Sequence, residues 1–325
     1  MIIVTGGAGF IGSNLVAGLN RAGYDDILVV DNLGCSEKFK NLRGLKISDY
    51  MDKSVFRARL GEGSFRGKKI RCIFHQGACS DTLNTDGLYM MDNNYRYSRD
   101  VLDFALQNKV QFIYASSASV YGAGRKGFRE EPGCEFPLNL YAFTKYLFDC
   151  HVRNRFSTFA TQVVGLRYFN VYGPQEVHKG RMASMVFHSY HQASKTGAVE
   201  LFEGSAGYGP GQQKRDFVSV PDAVKVNLFF LEHPEKTGIF NCGTGLPRTF
   251  ASLAGAVISS LKRGKINYIP FPEDLANKYQ SFTQADLSKL RAAGYVAEFE
   301  SLETGVSRYV DLLSRNQGYL FGEDS

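Results

Sequence analysis

The chain has 325 residues, 44% of them hydrophobic and 22% charged, enough to bury a full core in two lobes or in one domain with an inserted lobe. No apolar run approaches the roughly 18–20 residues that span a bilayer, so the composition points away from a membrane protein. The net charge of +6 is not gathered into basic blocks, which argues against nucleic acid as the partner and leaves a mildly basic surface or a pocket for phosphates.

In chain order, Met1–Thr5 reads as an apolar strand with no basic stretch ahead of it, so the expectation is no signal peptide and a cytoplasmic protein. Ile11–Ala22 is a predicted helix, with Ile11, Leu15, Val16 and Leu19 near one face. Ile27–Val30, Cys72–His75 and Phe112–Ala115 are predicted strands, with a helix over Asn94–Gln107. A further helix is expected from Tyr141 to Arg155 and a strand at Val163–Arg167. Residues 203–213, rich in Gly and Gln, read as a loop, followed by a strand at Phe217–Val220, a helix at Asp222–Leu231 and another over 249–262. The polar end, Asn316–Ser325, is expected to fray. This alternation predicts βαβ units, hence an α/β fold with a doubly wound parallel sheet. The six cysteines (35, 72, 79, 134, 150, 242) form no CxxC pair, so neither disulfides nor a metal site is expected.

The first strand runs into Gly6-Gly7-Ala8-Gly9-Phe10-Ile11-Gly12 and then a helix. Gly7, Gly9 and Gly12 fit G-x-G-x-x-G, and Gly6, Gly9 and Gly12 fit a looser spacing. The first glycine permits the turn, the second admits a pyrophosphate to the backbone, and the third lets helix and strand pack closely. The helix N-terminus offers unpaired N–H groups to phosphates. Asp31 ends the second strand, where an acid accepts from the adenosine ribose hydroxyls, which favours NAD. Asn32, Lys38 and Lys53 leave a second possibility: the lysines hold the extra phosphate of NADP, or they are solvated surface residues.

Tyr141 and Lys145 stand at i and i+4 on one predicted helix face. A phenol with its ordinary pKa of about 10 is a poor base at neutral pH, and a nearby ammonium favours the phenolate. Ser117, at the end of the fourth strand, is placed to face the phenol with a hydroxyl. Tyr-x-x-x-Lys alone is commonly a surface pair; behind a glycine turn and a serine-ended strand it reads as catalytic.

Thr5–Gly12 (TGGAGFIG), His75–Ser80 (HQGACS), Ser116–Gly122 (SSASVYG), Tyr141–Lys145 (YAFTK) and Arg167–Pro174 (RYFNVYGP) together resemble the extended short-chain dehydrogenase/reductase family, from Met1 to about Arg315. The resemblance implies a Rossmann domain over 1–169, with 216–241 and about 287–315 returning to it. A smaller mixed α/β substrate-binding domain is expected from 170–215 and 242–286. It implies Ser117, Tyr141 and Lys145 as catalytic residues. Cofactor contacts are implied from the glycine turn with Phe10 and Ile11, from Asp31, Asn32, Gln76, Gly77, Ala78, Cys79, Ser80, Asn93 and Val171, and from Lys145.

Val29–Leu33, Asp49–Lys53, Tyr89–Tyr95, Leu201–Ser205, Lys214–Val218, Tyr268–Leu275, Tyr279–Tyr295 and the His178-Lys179-Gly180 turn are similar to the nucleotide-sugar epimerases that invert C6 of an ADP-linked heptose for the lipopolysaccharide core. That likeness implies NADP, with Lys38 and Lys53 as its partners, and a homo-oligomer, usually a pentamer. It implies Lys179 as a second acid/base group and cofactor contact, although taken alone Lys179 reads as a surface lysine. Asn170, Arg181, His188, Phe202, Glu203, Gly204, Ser205, Arg215 and Tyr279 are the implied substrate contacts. Arg215 suits a diphosphate, or else an ion pair with Asp216. Arg181 and the loop 206–213 depart from the pattern of that group. Three other readings compete. A sugar dehydratase lacks its acid pair here, since Ala118-Ser119 follow Ser117, while a UDP-sugar 4-epimerase fits the catalytic trio but not the more specific stretches. A cofactor-binding sensor without chemistry would have no need of Tyr141 and Lys145.

Overall fold

The computed structural model describes residues 1–34, 37–204, 207–272 and 280–322. Its centre is a seven-stranded sheet in the order Gly238–Cys242, β6, β5, β4, β1, β2, β3, where β1 is Ile2–Thr5, β2 Ile27–Asp31, β3 Asp49–Asp52, β4 Cys72–His75, β5 Gln111–Ser117 and β6 Val163–Tyr168. Every pairing is parallel. The strand order reverses between β1 and β4, and that switch point opens a crevice at the carboxyl ends of the strands.

Alternation along the strands divides the core into two layers. Ile2, Val4, Ile27, Val29, Cys72 and Phe74 point to one face, with Leu15, Val16 and Leu19 of the Phe10–Arg21 helix and Val224, Val226 and Phe230 of Val220–Glu232. Ile3, Leu28, Val30 and Ile73 point to the other, beneath the helices Lys53–Gly61, Tyr97–Gln107 and Leu140–Arg153. Strands buried on both faces need apolar residues at every position, as the run Ile27–Val30 has.

The helix expected over Asn94–Gln107 begins earlier. Gly87–Met90 is helical, Met91–Arg96 is a π-helical segment, and Tyr97–Gln107 continues. Strand β3 and the Lys53–Gly61 helix, also absent from the sequence reading, complete the first half.

A second core lies beyond the sheet, where Val186 of the helix Met185–Thr196, Leu253 and Val257 of Phe250–Leu261, and Leu302, Val306, Tyr309, Val310 and Leu313 of Leu302–Asn316 pack together. Three two-stranded sheets decorate it: Asn170–Tyr172 with Phe217–Ser219, Lys214–Arg215 with Arg248–Thr249, and Ala198–Phe202 with Lys265–Ile269. The stretch 287–315 does not return whole to the seven-stranded sheet. Ser288–Ala292 packs near Gly238–Cys242, whereas Leu302–Asn316 lies along Phe250–Leu261 in the second core.

The end of the chain is packed rather than frayed through Gly322. Gln317 turns the chain at φ 53, Gly318 accepts from the Gln175 N–H at 2.8 Å, and Tyr319 is buried. The Leu320 N–H reaches Gln175 Oε1 at 3.3 Å. The apolar Tyr319, Leu320 and Phe321 outweigh the polar composition around them, and only 323–325 of the expected fray lie outside the described residues.

Candidate active site

The carboxyl ends of β1, β4 and β5 meet at a cleft of about 730 Å³. Gly6 turns the chain out of β1 at φ +67, and a Cβ there would fall 2.6 Å from Gly77 Cα, so the loops after β1 and β4 interlock backbone to backbone. A Cβ on Gly12 would sit 2.1 Å from the Gly6 carbonyl, so only glycine lets the Phe10–Arg21 helix start this close to the strand. No side chain caps that helix at Gly9 and no acid lies in its first turn, which leaves its N–H groups to an anion. Gly6, Gly9, Phe10, Ile11 and Gly12 line the cleft. Gly7 does not; its missing side chain would point at Val4 O and Val29, so it serves packing on the sheet rather than approach of a ligand.

Asp31, Asn32, Lys38, Lys53, Gln76–Ser80 and Asn93 also line this cleft. Asp31 is engaged by the protein itself: Oδ2 accepts from Ala8 N–H at 2.9 Å, Oδ1 from Asn32 N–H at 2.6 Å, and Lys38 forms an ion pair with Oδ1. Lys53 Nζ donates to Asn93 Oδ1 at 2.5 Å. The Asn94 side chain clamps the backbone of Cys79 from both sides, N–H to Oδ1 at 2.8 Å and Nδ2 to carbonyl at 3.0 Å. These groups fit a dinucleotide: a glycine turn with open helix N–H groups for a pyrophosphate, and lysines beside a ribose end.

Tyr141 and Lys145 rise from the Leu140–Arg153 helix, whose start is fixed by Asn139 Oδ1 accepting from Ala142 N–H at 2.8 Å. Burial pushes the Tyr141 phenol above its ordinary value, opposed by its hydrogen bond with Ser117. Ser117 Oγ also accepts from Ser119 N–H at 3.2 Å and Ser119 Oγ at 2.9 Å. Lys145 Nζ donates to the Ala115 carbonyl at 2.7 Å. Burial lowers its pKa to about 8, with Asp149 opposing. In the protein alone, burial of the phenol therefore outweighs the effect of its hydrogen bond with Ser117. Asp149, fully buried, accepts from Tyr114 OH at 2.9 Å, Ser116 Oγ at 2.8 Å and Arg167 Nε at 2.9 Å, tying this helix to β5 and β6.

Lys179 enters the same cleft from the Val177–Met182 turn, its Nζ 5.0 Å from the centre of the Phe10 ring. Burial lowers its pKa, and Glu176 opposes. An adjoining cleft of about 260 Å³ shares Lys179 and Val171 and adds Asn170. Arg181 forms an ion pair with Asp81 at 2.8 Å across the mouth, and both line the main cleft. His188 lies behind, its Nε2 3.3 Å from the Arg181 carbonyl.

Of the remaining expected substrate residues, Phe202, Glu203, Gly204 and Arg215 lie outside the walls of both clefts. Phe202 packs edge-on against Phe271 with ring centres 5.3 Å apart, and the Glu203 N–H donates to the Ile269 carbonyl at 2.8 Å. A Cβ on Gly204 would fall 1.9 Å from the Tyr208 carbonyl, and the Arg215 guanidinium stands 5.5 Å from the Phe250 ring centre. Asp216 accepts instead from Thr244, Gly245 and Ala285 at 2.7–2.9 Å. Ser205 and Tyr279 lie outside the described residues.

Sequence reasoning missed Asp81, Tyr89, Phe169 and His178 in the cleft wall. Asp81 directly follows the His75–Ser80 motif and His178 directly precedes Lys179, so chain adjacency was the available signal. No group of three or more potential metal ligands occurs among the described residues.

The profile of the NAD dependent epimerase/dehydratase family matches residues 2–243. A curated relative, the ADP-L-glycero-D-manno-heptose-6-epimerase of Brachyspira hyodysenteriae, is 53% identical over 322 residues, covering 98% of this chain and all of that one. The crystal structure of the Helicobacter pylori ADP-L-glycero-D-manno-heptose-6-epimerase superposes with a TM-score of 0.83 at 31% identity, covering 97% of this chain and 96% of that one. The UDP-glucose 4-epimerase of Thermus thermophilus, solved with NAD, gives 0.78 at 26% identity, covering 97% and 99%. With the glycine turn, the serine-ended β5 and the Tyr141–Lys145 pair in one cleft, this enzyme belongs to the NAD dependent epimerase/dehydratase family.

Proposed function

We propose that this enzyme inverts C6 of an ADP-linked heptose, converting ADP-D-glycero-β-D-manno-heptose into ADP-L-glycero-β-D-manno-heptose with NADP retained throughout. The observation that carries the reading is a pair of acid/base candidates, Tyr141 and Lys179, brought to one cleft by separate elements. The 53% identical heptose epimerase supports the choice of sugar.

A carbinol carbon is too weakly acidic for direct deprotonation, so inversion proceeds through a carbonyl. The bound NADP supplies the hydride acceptor and then the donor. In one orientation of the sugar Tyr141 takes the C6 hydroxyl proton, with Ser117 hydrogen-bonded to the phenol and Lys145 holding positive charge behind it. After the sugar turns about its new carbonyl, Lys179 would give a proton to the oxygen in the second orientation, and proton exchange with solvent would return Tyr141 and Lys179 to their starting forms. Lys179 suits both directions because burial draws it towards neutrality. Lys38 and Lys53 hold the cofactor's ribose end, with Gln76–Ser80, Asn93 and Val171 along its length.

Asn170, Arg181, His188, Phe202, Glu203, Gly204, Ser205, Arg215 and Tyr279 form the substrate side, in a lobe of 170–215 and 242–286 joined by the Leu302–Asn316 helix. Residues 1–169, with the Val220–Glu232 helix and the Gly238–Cys242 strand, form the cofactor side. Arg215 fits the diphosphate, because a guanidinium matches phosphate oxygens in a bidentate way. The product serves the lipopolysaccharide core, and the enzyme works in the cytoplasm as a homo-oligomer, a pentamer in its simplest form.

The test is an NMR assay of the purified protein with ADP-D-glycero-β-D-manno-heptose and no external reductant. Appearance of the 6-epimer without net cofactor reduction is expected. No conversion by folded, cofactor-loaded protein, together with turnover of a UDP-hexose, would replace this reading by a 4-epimerase.

A further inference from the structure

Glu176 closes the turn that carries Lys179. Its backbone carbonyl accepts from the Lys179 N–H at 2.9 Å. Its carboxylate reaches past the turn to Ser184, where Oε2 accepts from the backbone N–H and Oε1 from the hydroxyl, both at 2.6 Å. One residue thus holds both ends of the Val177–Met182 turn, which Gly180 bends at φ 52. Ser184 also begins the helix Met185–Thr196, its Oγ accepting from the Phe187 N–H at 3.3 Å, so the same carboxylate ties the turn to the second core.

The approach to Glu176 is fixed as well. Gln175 stands at φ 74, a conformation that a non-glycine residue holds only where its surroundings impose it. Here the Gln175 N–H donates to the Gly318 carbonyl at 2.8 Å and its Nε2 to the Asn41 carbonyl at 2.9 Å.

Glu176 is fully buried, and Tyr309 of the Leu302–Asn316 helix faces its carboxylate. Burial raises this carboxyl, while the Lys179 ammonium and then the Ser184 donors hold it down. The influence is mutual, since Glu176 opposes the burial that lowers Lys179. His178, beside Lys179, adds no counter-charge: burial first, then Lys38 and Lys179, lower that imidazole to about 4, so it is neutral at pH 7.

We propose that Glu176 is a positioning residue for Lys179: its carboxylate locks the turn that carries the lysine and sets a compensating negative charge against the ammonium. The inference rests on the reading of Lys179 as an acid/base group. A lysine that must give a proton has to hold it first, and burial alone works against that. The Glu176 charge keeps the ammonium populated, and the tie to Ser184 keeps it in the cleft.

The test follows Lys179 directly in the full-length, cofactor-loaded enzyme. In 13C NMR of lysines labelled at Cε, the resonance lost in Lys179→Met identifies Lys179. Glu176→Gln keeps an acceptor for Ser184 and removes the charge, so the Lys179 titration midpoint should fall by about one pH unit. With ADP-D-glycero-β-D-manno-heptose, the alkaline limb of kcat should move to lower pH with it, a loss of roughly tenfold on that limb, while KM changes less than about twofold. An unmoved midpoint overturns the inference whatever becomes of turnover. A moved midpoint with an unmoved kcat profile overturns the role of Glu176 in the reaction. Should wild type leave the heptose unchanged, the proposed function falls, and the midpoints still decide whether Glu176 governs Lys179. Where Glu176→Gln does not fold, Lys179→Met carries the test. The coupling is reciprocal, so one glutamate carboxyl followed by 13C NMR should titrate higher in that variant than in wild type, and the absence of such a change overturns the inference.

Discussion

Two lysines carry most of the chemistry, and burial lowers the pKa of each. Lys145 has its pKa lowered to about 8 in the folded chain. Between that value and its ordinary one near 10.5 the unfolded chain binds the extra proton, so the lysine's burial destabilises the fold below pH 8 and ceases to do so as pH rises through this window. Lys145→Met should therefore abolish turnover yet stabilise the protein at pH 7, on the order of 1–3 kcal/mol by urea denaturation, with the gain vanishing towards pH 10.5. Lys179→Met should reduce epimerisation by about 10²-fold or more while leaving bound cofactor in place, as measured by NMR turnover and absorbance of the purified protein. Full activity in that variant would remove Lys179 from the mechanism. Tyr141, Lys145 and Ser117 were readable in the sequence because their spacing is local to one helix turn and one strand end. The state of Asp31 was not. Its partners Ala8 and Lys38 are brought to it only when the glycine turn folds over β2 and the Glu37–Leu42 turn returns to the cleft.

At the scale of elements, the glycine turn and the apolar strands β1, β2, β4, β5 and β6 were legible because each signal is short and bounded. The helices Lys53–Gly61 and Leu302–Asn316 were harder for opposite reasons. The first buries only Phe56, so its apolar period is barely written. The second is strongly amphipathic, but which core it joins is decided by the facing residues of Phe250–Leu261, far away in sequence. The π-helical turn Met91–Arg96 had no sequence signature at all. It coincides with Asn93 in the cleft wall and Asn94 clamped to Cys79, and wide turns of this kind recur at functional sites. Helix and strand pack without room to spare at Gly12, where a Cβ would overlap the Gly6 carbonyl at 2.1 Å. Gly12→Ala should push the helix from the strand. We expect cofactor binding to fall by at least about 10-fold in a fluorescence titration, with a loss of thermal stability of about 1–3 kcal/mol.

Across the whole molecule, one cleft joins a rigid floor to a lighter roof. The floor is backbone against backbone, Gly6 against Gly77, laid on a sheet buried from both sides. The roof is the Val177–Met182 turn, and the ion pair that crosses the mouth to it, Arg181 to Asp81, stands in solvent with the arginine side chain 66% exposed. Floor and roof thus answer to different solution conditions. Hydrophobic packing is indifferent to moderate ionic strength, whereas an exposed pair of charges is screened once the Debye length shrinks to about 3 Å near 1 M salt. Escape of bound nucleotide should accordingly quicken as sodium chloride is raised, while the melting temperature hardly moves, and Asp81→Asn should remove much of that salt dependence in stopped-flow release. On that expectation the enzyme's hold on its cofactor would be an electrolyte-tuned residence time, set at the rim of the cleft rather than in its depths.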